Sequence, residues 1–267
     1  VKGVRGDITN FHDIVKTIND YDVKDIIHLA AIASSSGVKE NPLLGYSINV
    51  GGTLNVLEAS KQTSINKVIF SSSIATFGPE TKEPVKKDSC QKPNNLYGIT
   101  KVAGELCGSY YYQNYNIDFR VLRFPRIINP GRRGEGVIVY PSLLIEKSVL
   151  GEEYTVEVSE DFKVPIIYIK DATELLKLLY ISSDIKSRYY NVGGFTPSTK
   201  EITSKINELL PDNQIIYSKK PIKPHLSIPL LYDDSPVKKE LNWNYRFDTV
   251  EKIIKEFITE VNEKLKR

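Results

Sequence analysis

The residues of this sequence best suited to chemistry are three consecutive serines, Ser71 to Ser73, and a later tyrosine–lysine pair, Tyr97 and Lys101. At positions i and i+4 of a helix, the tyrosine and lysine side chains share one face, about 6 Å apart. A nearby ammonium favours the phenolate form of a tyrosine, whose pKa is otherwise about 10. A serine hydroxyl beside that phenol can hold the oxygen of an alcohol substrate. These groups supply what alcohol oxidation by hydride transfer needs: a base, a cation and a hydrogen-bond donor.

The elements that must position these residues follow an alternating pattern. Short β-branched runs alternate with longer segments of helical period, which predicts βαβ units and a parallel sheet. The serines end a strand predicted at 67–71, and Tyr97 opens a helix predicted at 97–115. The other elements predicted in this half are strands at 3–7, 25–31 and 119–124, a helix at 11–19 capped by Asn10, and a helix at 42–60. Beyond residue 130, helices are predicted near 140–149, 171–182, 199–210 and 248–265, with short strands around 154–158, 166–169, 189–192 and 214–217.

Composition narrows the class of protein. The 36 basic and 33 acidic side chains leave a net charge of +3, which is too balanced to indicate a nucleic-acid partner. No apolar run approaches the roughly 20 residues of a membrane-spanning helix. The two cysteines lack a CxxC spacing, which favours the reducing cytoplasm, and the three histidines are too scattered to predict a metal site.

Several stretches carry a more specific signature. They are Leu29-Ala30-Ala31, Asn41-Pro42-Leu43-Leu44, the segment 49–58 (NVGGTLNVLE), the segment 72–80 (SSIATFGPE) and the segment 97–106 (YGITKVAGEL). On these stretches the sequence resembles the extended branch of the short-chain dehydrogenase/reductase family, and within it the epimerase-like L-threonine 3-dehydrogenases. The resemblance implies an α/β fold with a Rossmann-type doubly wound parallel sheet and NAD as cofactor. It further implies an NAD-binding core in residues 1–130, and in 131–267 the rest of the core with a small C-terminal substrate lobe.

The resemblance assigns the catalytic roles residue by residue. Tyr97 would be the base, and Lys101 would lower its pKa and hold the nicotinamide ribose. Ser73 would bind the reacting hydroxyl, with Ser72 as its partner in holding the substrate.

The resemblance also assigns the cofactor site. Asp7 and Ile8 would contact the adenine, and Leu29, Ala30 and Ala31 would line the cofactor groove. Asn49 would support the site from its helix. Two of these assignments have simpler alternatives, because small apolar residues at a strand end are usually core packing and a polar residue within a helix often satisfies a neighbouring loop.

The beginning of the sequence departs from the family pattern. Family members begin with a strand, a Gly-x-x-Gly-x-x-Gly turn and a helix, at whose N-terminus the pyrophosphate lies. No such stretch precedes Asp7. The strand predicted at 3–7 resembles the family's third, so two strands that are central in the order 3-2-1-4-5-6 are expected to be missing. We therefore expect this chain to be a fragment, or the product of a gene with a misplaced start.

A second departure follows the strand at 119–124. Threonine dehydrogenases have Pro-Gly-Ile-Ile there and Gly-Thr-Thr-Asp-Tyr later, whereas this chain has Pro125-Arg126-Ile127-Ile128 followed by Arg132 and Arg133. Arginine binds carboxylate or phosphate through two parallel hydrogen bonds, so Arg126 is predicted to bind substrate. The carboxylate of threonine would bind one arginine, whereas the diphosphate of a nucleotide sugar could bind two. A solvated basic loop explains Arg132 and Arg133 equally well.

The predicted function is oxidation of the C3 hydroxyl of L-threonine to 2-amino-3-ketobutyrate with NAD. The stretch 164–171 (VPIIYIKD) favours this reading, because nucleotide-sugar epimerases and dehydratases begin the matching stretch with Arg-Asp. A nucleotide-sugar 4-epimerase or dehydratase remains the first alternative, and a non-catalytic fragment with an incomplete cofactor site the second. The resemblance also implies a homodimer, paired through the helices at 42–60 and 97–115.

Overall fold

The computed structural model describes residues 2–132, 139–222 and 228–265. Its helices are α1 (Phe11–Asp20), α2 (Ser35–Glu40), α3 (Pro42–Tyr46), α4 (Gly52–Gln62), α5 (Leu96–Tyr115), α6 (Tyr140–Val149), α7 (Ile169–Ile181), α8 (Thr199–Leu209), α9 (Ser235–Glu240) and α10 (Val250–Leu265). Its strands are β1 (Asp25–His28), β2 (Lys67–Ser73), β3 (Asp118–Phe124), β4 (Arg126–Ile128), β5 (Glu153–Val156), β6 (Ile166–Tyr168), β7 (Tyr189–Asn191) and β8 (Gln214–Tyr217). In the described part of the chain, no helix is long and apolar enough to cross a membrane.

The main sheet is parallel throughout and has the order β1-β2-β3-β7. The register places His28 of β1 beside Phe70 of β2, and Ser73 of β2 beside Phe124 of β3. The carboxyl ends of these strands therefore meet at one edge of the sheet, which is where open α/β sheets bind ligands.

Helices cover both faces of this sheet, as the doubly wound prediction requires. On one face, α4 and α5 pack on β2 and β3, where Leu57, Phe70 and Phe119 are buried in one cluster. On the other face, α7 buries Leu175 and Leu179 in a second apolar cluster. Burial on both sides explains why these strands read as continuous apolar runs in the sequence. The predicted α/β fold is confirmed.

The later part of the chain contributes both to the sheet and to a second core. β7 extends the main sheet beside β3, while β4 pairs with β6 and β5 with β8. Helices α6, α8 and α10 enclose a separate apolar cluster that includes Leu144, Ile206 and Phe257. The division of the chain at residue 130 stays a prediction.

The predicted strand at 3–7 is wrong: the described residues from 2 to 10 contain no strand. A strand needs a hydrogen-bonded neighbour, and a groove of about 940 Å³ separates this segment from β1. The groove leaves apolar side chains open to solvent, with Val4 49%, Ile27 43% and Leu29 57% exposed. The segment nevertheless enters α1 as predicted, because the Asn10 side chain accepts a hydrogen bond from the His12 amide at 3.1 Å.

The helix predicted at 42–60 is interrupted in the structure. α3 ends at Tyr46, one turn of π-helix covers Ser47–Gly51, and α4 continues from Gly52. Such single π-helical turns are frequent at functional sites. This one buries the side chain of Asn49, which is 3% exposed.

Candidate active site

The first turn of α5 places Tyr97 against the end of β2. The Asn95 side chain caps the helix by accepting a hydrogen bond from the Gly98 amide at 2.8 Å. Gly98 lies so close to the turn after β2 that a Cβ atom there would be 2.1 Å from the carbonyl oxygen of Ala75. Only glycine allows this approach, and it brings Tyr97 next to Ser73.

Tyr97 and the three serines line a cavity of about 330 Å³ at the carboxyl edge of the sheet. The loop after β1 contributes Ala33 to Ser35, and the start of β4 contributes Arg126. Arg132 completes the polar part of the lining. The volume is at the small end of the range for small-molecule sites, which is about 300–1,000 Å³.

Burial governs the acidity of Tyr97 in this cavity. Burial raises the pKa of Tyr97 to about 12, while hydrogen bonding with Ser73 and the positive charge of Arg132 lower it. The sequence predicts instead that Lys101 lowers this pKa, but the cation that acts on the phenol here is Arg132. The phenol therefore holds its proton at neutral pH in this state.

Lys101 lies one turn further along α5 and is 4% exposed. Its ammonium donates a hydrogen bond to the Ser71 carbonyl oxygen at 2.7 Å and lies 5.8 Å from the centre of the Tyr97 ring. Burial lowers the pKa of Lys101 to about 8, and the negative charge of Glu105 opposes this shift. Two of its three ammonium hydrogens are available for other acceptors.

Ser72 and Ser73 face different surroundings, because successive side chains of a strand point to opposite faces. Ser73 lines the cavity and also caps the turn after β2, accepting from the Ala75 amide at 3.1 Å. The hydroxyl of Ser72 instead donates to the carboxylate of Glu105. The structure thus brings the Ser73 hydroxyl toward Tyr97 and directs the Ser72 hydroxyl into the protein.

A buried ion pair lies directly behind Ser72. Glu105 of α5 and Arg123 of β3 have side chains that are only 2% and 5% exposed, and they meet at 2.7 Å. Gln91 donates a further hydrogen bond to Glu105 at 2.9 Å. Sequence analysis did not identify this pair. Its signal was present, since each of the two arginines in the otherwise apolar strand at 119–124, Arg120 and Arg123, requires a partner when it is buried.

Arg126 and Arg132 are the cationic side chains in the described lining of the cavity. Arg126 sits at the start of β4, held by a backbone hydrogen bond to Pro165 at 3.1 Å. One of its guanidinium nitrogens, Nη1, is buried and has no hydrogen-bond partner in the described part of the chain. Burial lowers the pKa of Arg126 to about 10; the charge of Tyr140 opposes this shift and that of Arg132 adds to it. Arg132 is half-buried and donates to the Ile127 carbonyl oxygen, whereas Arg133 lies outside the described residues.

The predicted cofactor residues lie along the groove beside β1. Asp7, Ile8, Leu29 and Ala30 line it, and Leu29 and Ala30 are exposed there and not packed in the core. The Asp7 carboxylate accepts from the Thr9 amide and hydroxyl, both at 2.8 Å, and these hydrogen bonds lower the pKa of Asp7. Ala31 follows in the loop that continues to the cavity and is half-buried.

Asn49 joins the loop after β1 to α5. Its side chain accepts from the Ile32 amide at 2.8 Å and donates to the Thr100 hydroxyl at 3.0 Å. It also donates to the Ile32 carbonyl oxygen at 3.2 Å. Asn49 therefore connects the groove loop to the helix that carries Tyr97 and Lys101, and it satisfies a neighbouring loop at the same time.

The residues present fit the two ends of NAD. The groove offers apolar walls and the Asp7 carboxylate for an adenosine, and the cavity offers Tyr97 and the free ammonium hydrogens of Lys101 for a ribose. In the described part of the chain, no glycine-rich strand-to-helix turn is present between them to hold a pyrophosphate.

Comparisons with known proteins agree with this geometry. The model of the NAD dependent epimerase/dehydratase family matches residues 1–193. The mitochondrial L-threonine 3-dehydrogenase of Bos taurus is 27% identical over 254 residues, which cover 93% of this chain and 68% of that protein. An epimerase/dehydratase of Staphylococcus haemolyticus is 29% identical over 91% of this chain and 78% of its own length. The crystal structure of L-threonine dehydrogenase from Phytophthora infestans superposes with a TM-score of 0.88 at 29% identity, covering 98% of this chain and 86% of that one.

Proposed function

Because the chain belongs to the NAD dependent epimerase/dehydratase family, we propose that it oxidises the C3 hydroxyl of L-threonine to give 2-amino-3-ketobutyrate. The observation that carries the proposal is the cavity in which Tyr97 and Ser73 lie side by side next to the buried Lys101. The likeness to L-threonine dehydrogenases supports the choice of substrate.

NAD is the proposed cofactor, held by Asp7, Ile8, Leu29, Ala30 and Ala31 at its adenosine end and by Tyr97 and Lys101 at its nicotinamide ribose. When bound, the oxidised nicotinamide accepts the hydride that leaves C3 with the electron pair of the C–H bond. The chain's own side chains accept the proton that leaves the C3 hydroxyl.

The Ser73 hydroxyl is placed to bind the oxygen of the reacting alcohol, and Tyr97 to take the hydroxyl proton as the carbonyl forms. Since burial raises the pKa of Tyr97 to about 12, the phenol must first lose its proton. Arg132 favours that loss by its positive charge. We therefore expect oxidation to speed up as the pH rises above neutrality.

Replacement of Tyr97 by phenylalanine tests the proposal. The variant keeps the ring and removes the phenol, so we expect the rate of NAD reduction with L-threonine to fall by about 10²- to 10⁴-fold. Tyr21 is exposed, follows the last residue of α1 and does not line the cavity, so Tyr21→Phe is the matched control and should keep the wild-type rate. Equal rates in all three proteins would contradict the assigned role of Tyr97.

Two other functions give different results in the same experiments. A nucleotide-sugar epimerase or dehydratase would bind a UDP-sugar through the arginines at the cavity, although the volume of about 330 Å³ favours a smaller molecule. A non-catalytic fragment would bind neither NAD nor substrate in a calorimetric titration.

A homodimer is part of the proposal. α4 and α5 lie side by side, and their outer faces expose large apolar side chains. Leu106 is 63% exposed, Tyr110 55% and Leu54 38%. Exposed apolar side chains on two neighbouring helices favour a protein partner, and a second copy of the same two helices would cover them in a four-helix interface.

A further inference from the structure

Glu105 is a buried acidic side chain close to the proposed site. It lies on α5 one turn beyond Lys101, and Tyr97, Lys101 and Glu105 follow one another at intervals of four residues on the side of the helix packed against β2. Lys101 and Glu105 are only 4% and 2% exposed. Burial lowers the pKa of Lys101 to about 8, and the charge of Glu105 opposes this shift. The ammonium and the carboxylate therefore interact through a region from which water is largely excluded, where charges act strongly on each other.

The neighbours of Lys101 on the other elements packed around it are neutral at neutral pH. His28, from β1, is uncharged because burial and the charge of Lys101 lower its pKa to about 4. Tyr97, from the preceding turn of α5, keeps its proton because burial raises its pKa to about 12. Asn49 and Thr53, on the helical turns packed against α5, carry an amide and a hydroxyl group. The carboxylate one turn further along α5 is thus the negative charge that acts on this ammonium.

Arg123 balances the charge of Glu105 from the opposite side. It lies beside Ser72 in the register of β2 and β3, and its guanidinium donates to the carboxylate at 2.7, 3.0 and 3.1 Å. Hydrogen bonds from Ser72 and Gln91 also hold the carboxylate in place. Of the two charges of the pair, that of Glu105 acts on Lys101. Loss of either member would leave a single unbalanced charge near Lys101, negative in one case and positive in the other.

We propose that Glu105 is a positioning residue of the site, which keeps the Lys101 ammonium charged for the nicotinamide ribose of NAD. Through its hydrogen bond from Ser72, the same carboxylate holds the end of β2 that carries Ser73. Arg123 limits the effect on Lys101 because it balances the carboxylate. The inference rests on the proposed role of Lys101 toward NAD, and it assigns to the reaction a buried group that acts through Lys101 and does not line the cavity.

Two single substitutions separate the effect of charge from damage to the structure. Glu105→Gln and Arg123→Met each leave one buried charge without its partner, so both should destabilise the fold, but the charges that remain have opposite signs. The titration of Lys101 can be followed by NMR in the full chain without cofactor, with carbon-13 in the lysine side chains and Lys101→Arg to assign the signal. We expect the pKa of Lys101 to fall by about one pH unit in Glu105→Gln and to rise by about one in Arg123→Met.

A second buried arginine of β3 supplies the matched control. Arg120 pairs with Asp118 at the other end of the strand, so Arg120→Met should destabilise the fold and leave the titration of Lys101 unchanged. Glu105→Asp keeps the charge and should restore most of the wild-type pKa. If the single variants do not fold, Glu105→Leu/Arg123→Met still gives a test. In this double variant the pKa of Lys101 should lie below the wild-type value, because the charge of Glu105 is the one that acts on it.

Binding of NAD gives the functional measurement. If the charged ammonium of Lys101 holds the ribose, calorimetry on the wild-type chain should show the affinity for NAD falling by up to about tenfold between about pH 7 and about pH 9. This fall should begin about one pH unit lower in Glu105→Gln and about one pH unit higher in Arg123→Met. Arg120→Met should follow the wild-type curve. A merely structural role of the ion pair would weaken binding in both single variants without moving the curve along the pH axis.

The inference and the proposed function fail in distinguishable ways. The inference is overturned if Lys101 titrates at the wild-type pH in both single variants, or if both shift its pKa in the same direction, as entry of water into a loosened fold would do. If the opposite shifts appear but L-threonine is not oxidised, the action of Glu105 on Lys101 stands and the proposed oxidation fails. If L-threonine is oxidised in a reaction that needs Tyr97 while the pKa of Lys101 does not respond, the oxidation stands and the inference is wrong.

Discussion

Removal of the charge on Glu105 should lower the free energy of unfolding of this protein more than a surface substitution does. Glu105 and Arg123 have side chains 2% and 5% exposed, and the guanidinium donates three hydrogen bonds to the carboxylate at 2.7, 3.0 and 3.1 Å. In Glu105→Gln the shape is kept, but Arg123 remains buried with only neutral acceptors, the Lys87 carbonyl oxygen and the Asn191 side chain. Leaving one member of a buried ion pair unpaired costs about 3–5 kcal/mol.

The free energy of unfolding can be measured by urea denaturation. Trp243 is the only tryptophan and is 6% exposed, so its fluorescence reports the loss of the core around α7 and α9. The double variant Glu105→Leu/Arg123→Met removes both charges and leaves no buried charge unpaired, although Ser72 and Gln91 lose the carboxylate to which they donate. We expect it to recover most of the stability that Glu105→Gln loses, because replacing a whole buried ion pair by apolar residues is often close to neutral.

The comparison of the two variants shows whether the loss of stability comes from leaving one charge of the Glu105–Arg123 ion pair without its partner. If Glu105→Gln lowers the free energy of unfolding by less than about 1 kcal/mol, Arg123 is not held in a dry environment and the reasoning is refuted. If the double variant is less stable than Glu105→Gln, the network around Ser72 stabilises the fold through its hydrogen bonds and not through charge balance.

Two further predictions concern acid stability and assembly. Burial, with the charge of Lys101, lowers the pKa of His28 to about 4, below its ordinary value near 6.5, so the unfolded chain binds a proton that the folded chain does not. Stability should therefore fall by about 3 kcal/mol as the pH drops from about 6.5 to about 4. His28→Gln should flatten this part of the urea-midpoint profile while His12→Gln, at an exposed side chain, should not, and equal slopes in all three proteins would exclude His28 as the cause. Leu106→Glu, at a side chain 63% exposed on α5, should convert a dimer to a monomer in sedimentation velocity without a change in far-ultraviolet circular dichroism, whereas a wild-type chain that is already monomeric would refute the proposed interface.

The sequence by itself determined the elements with a strong local signal. The apolar runs of β2 and β3 are visible in the residue order, and the Asn10 cap of α1 depends on contacts within a few residues, so pattern alone placed all three. The spacing of Tyr97 and Lys101 on one helix face belongs to the same class, because four residues of α-helix fix it. The strand predicted at 3–7 failed for the opposite reason, since a strand forms only with a neighbour and none of the described strands pairs with this segment.

Only the tertiary structure decided the electrostatics of the site. Whether Tyr97 is acidic or resistant to ionisation depends on burial and on the position of Arg132, and neither can be read from residue spacing. The same holds for Arg126, whose Nη1 atom has no hydrogen-bond partner among the described residues, and for Ser72, whose hydroxyl donates to Glu105. Charges interact through space in a low dielectric, and the groups that surround each of them come from parts of the chain far apart in sequence.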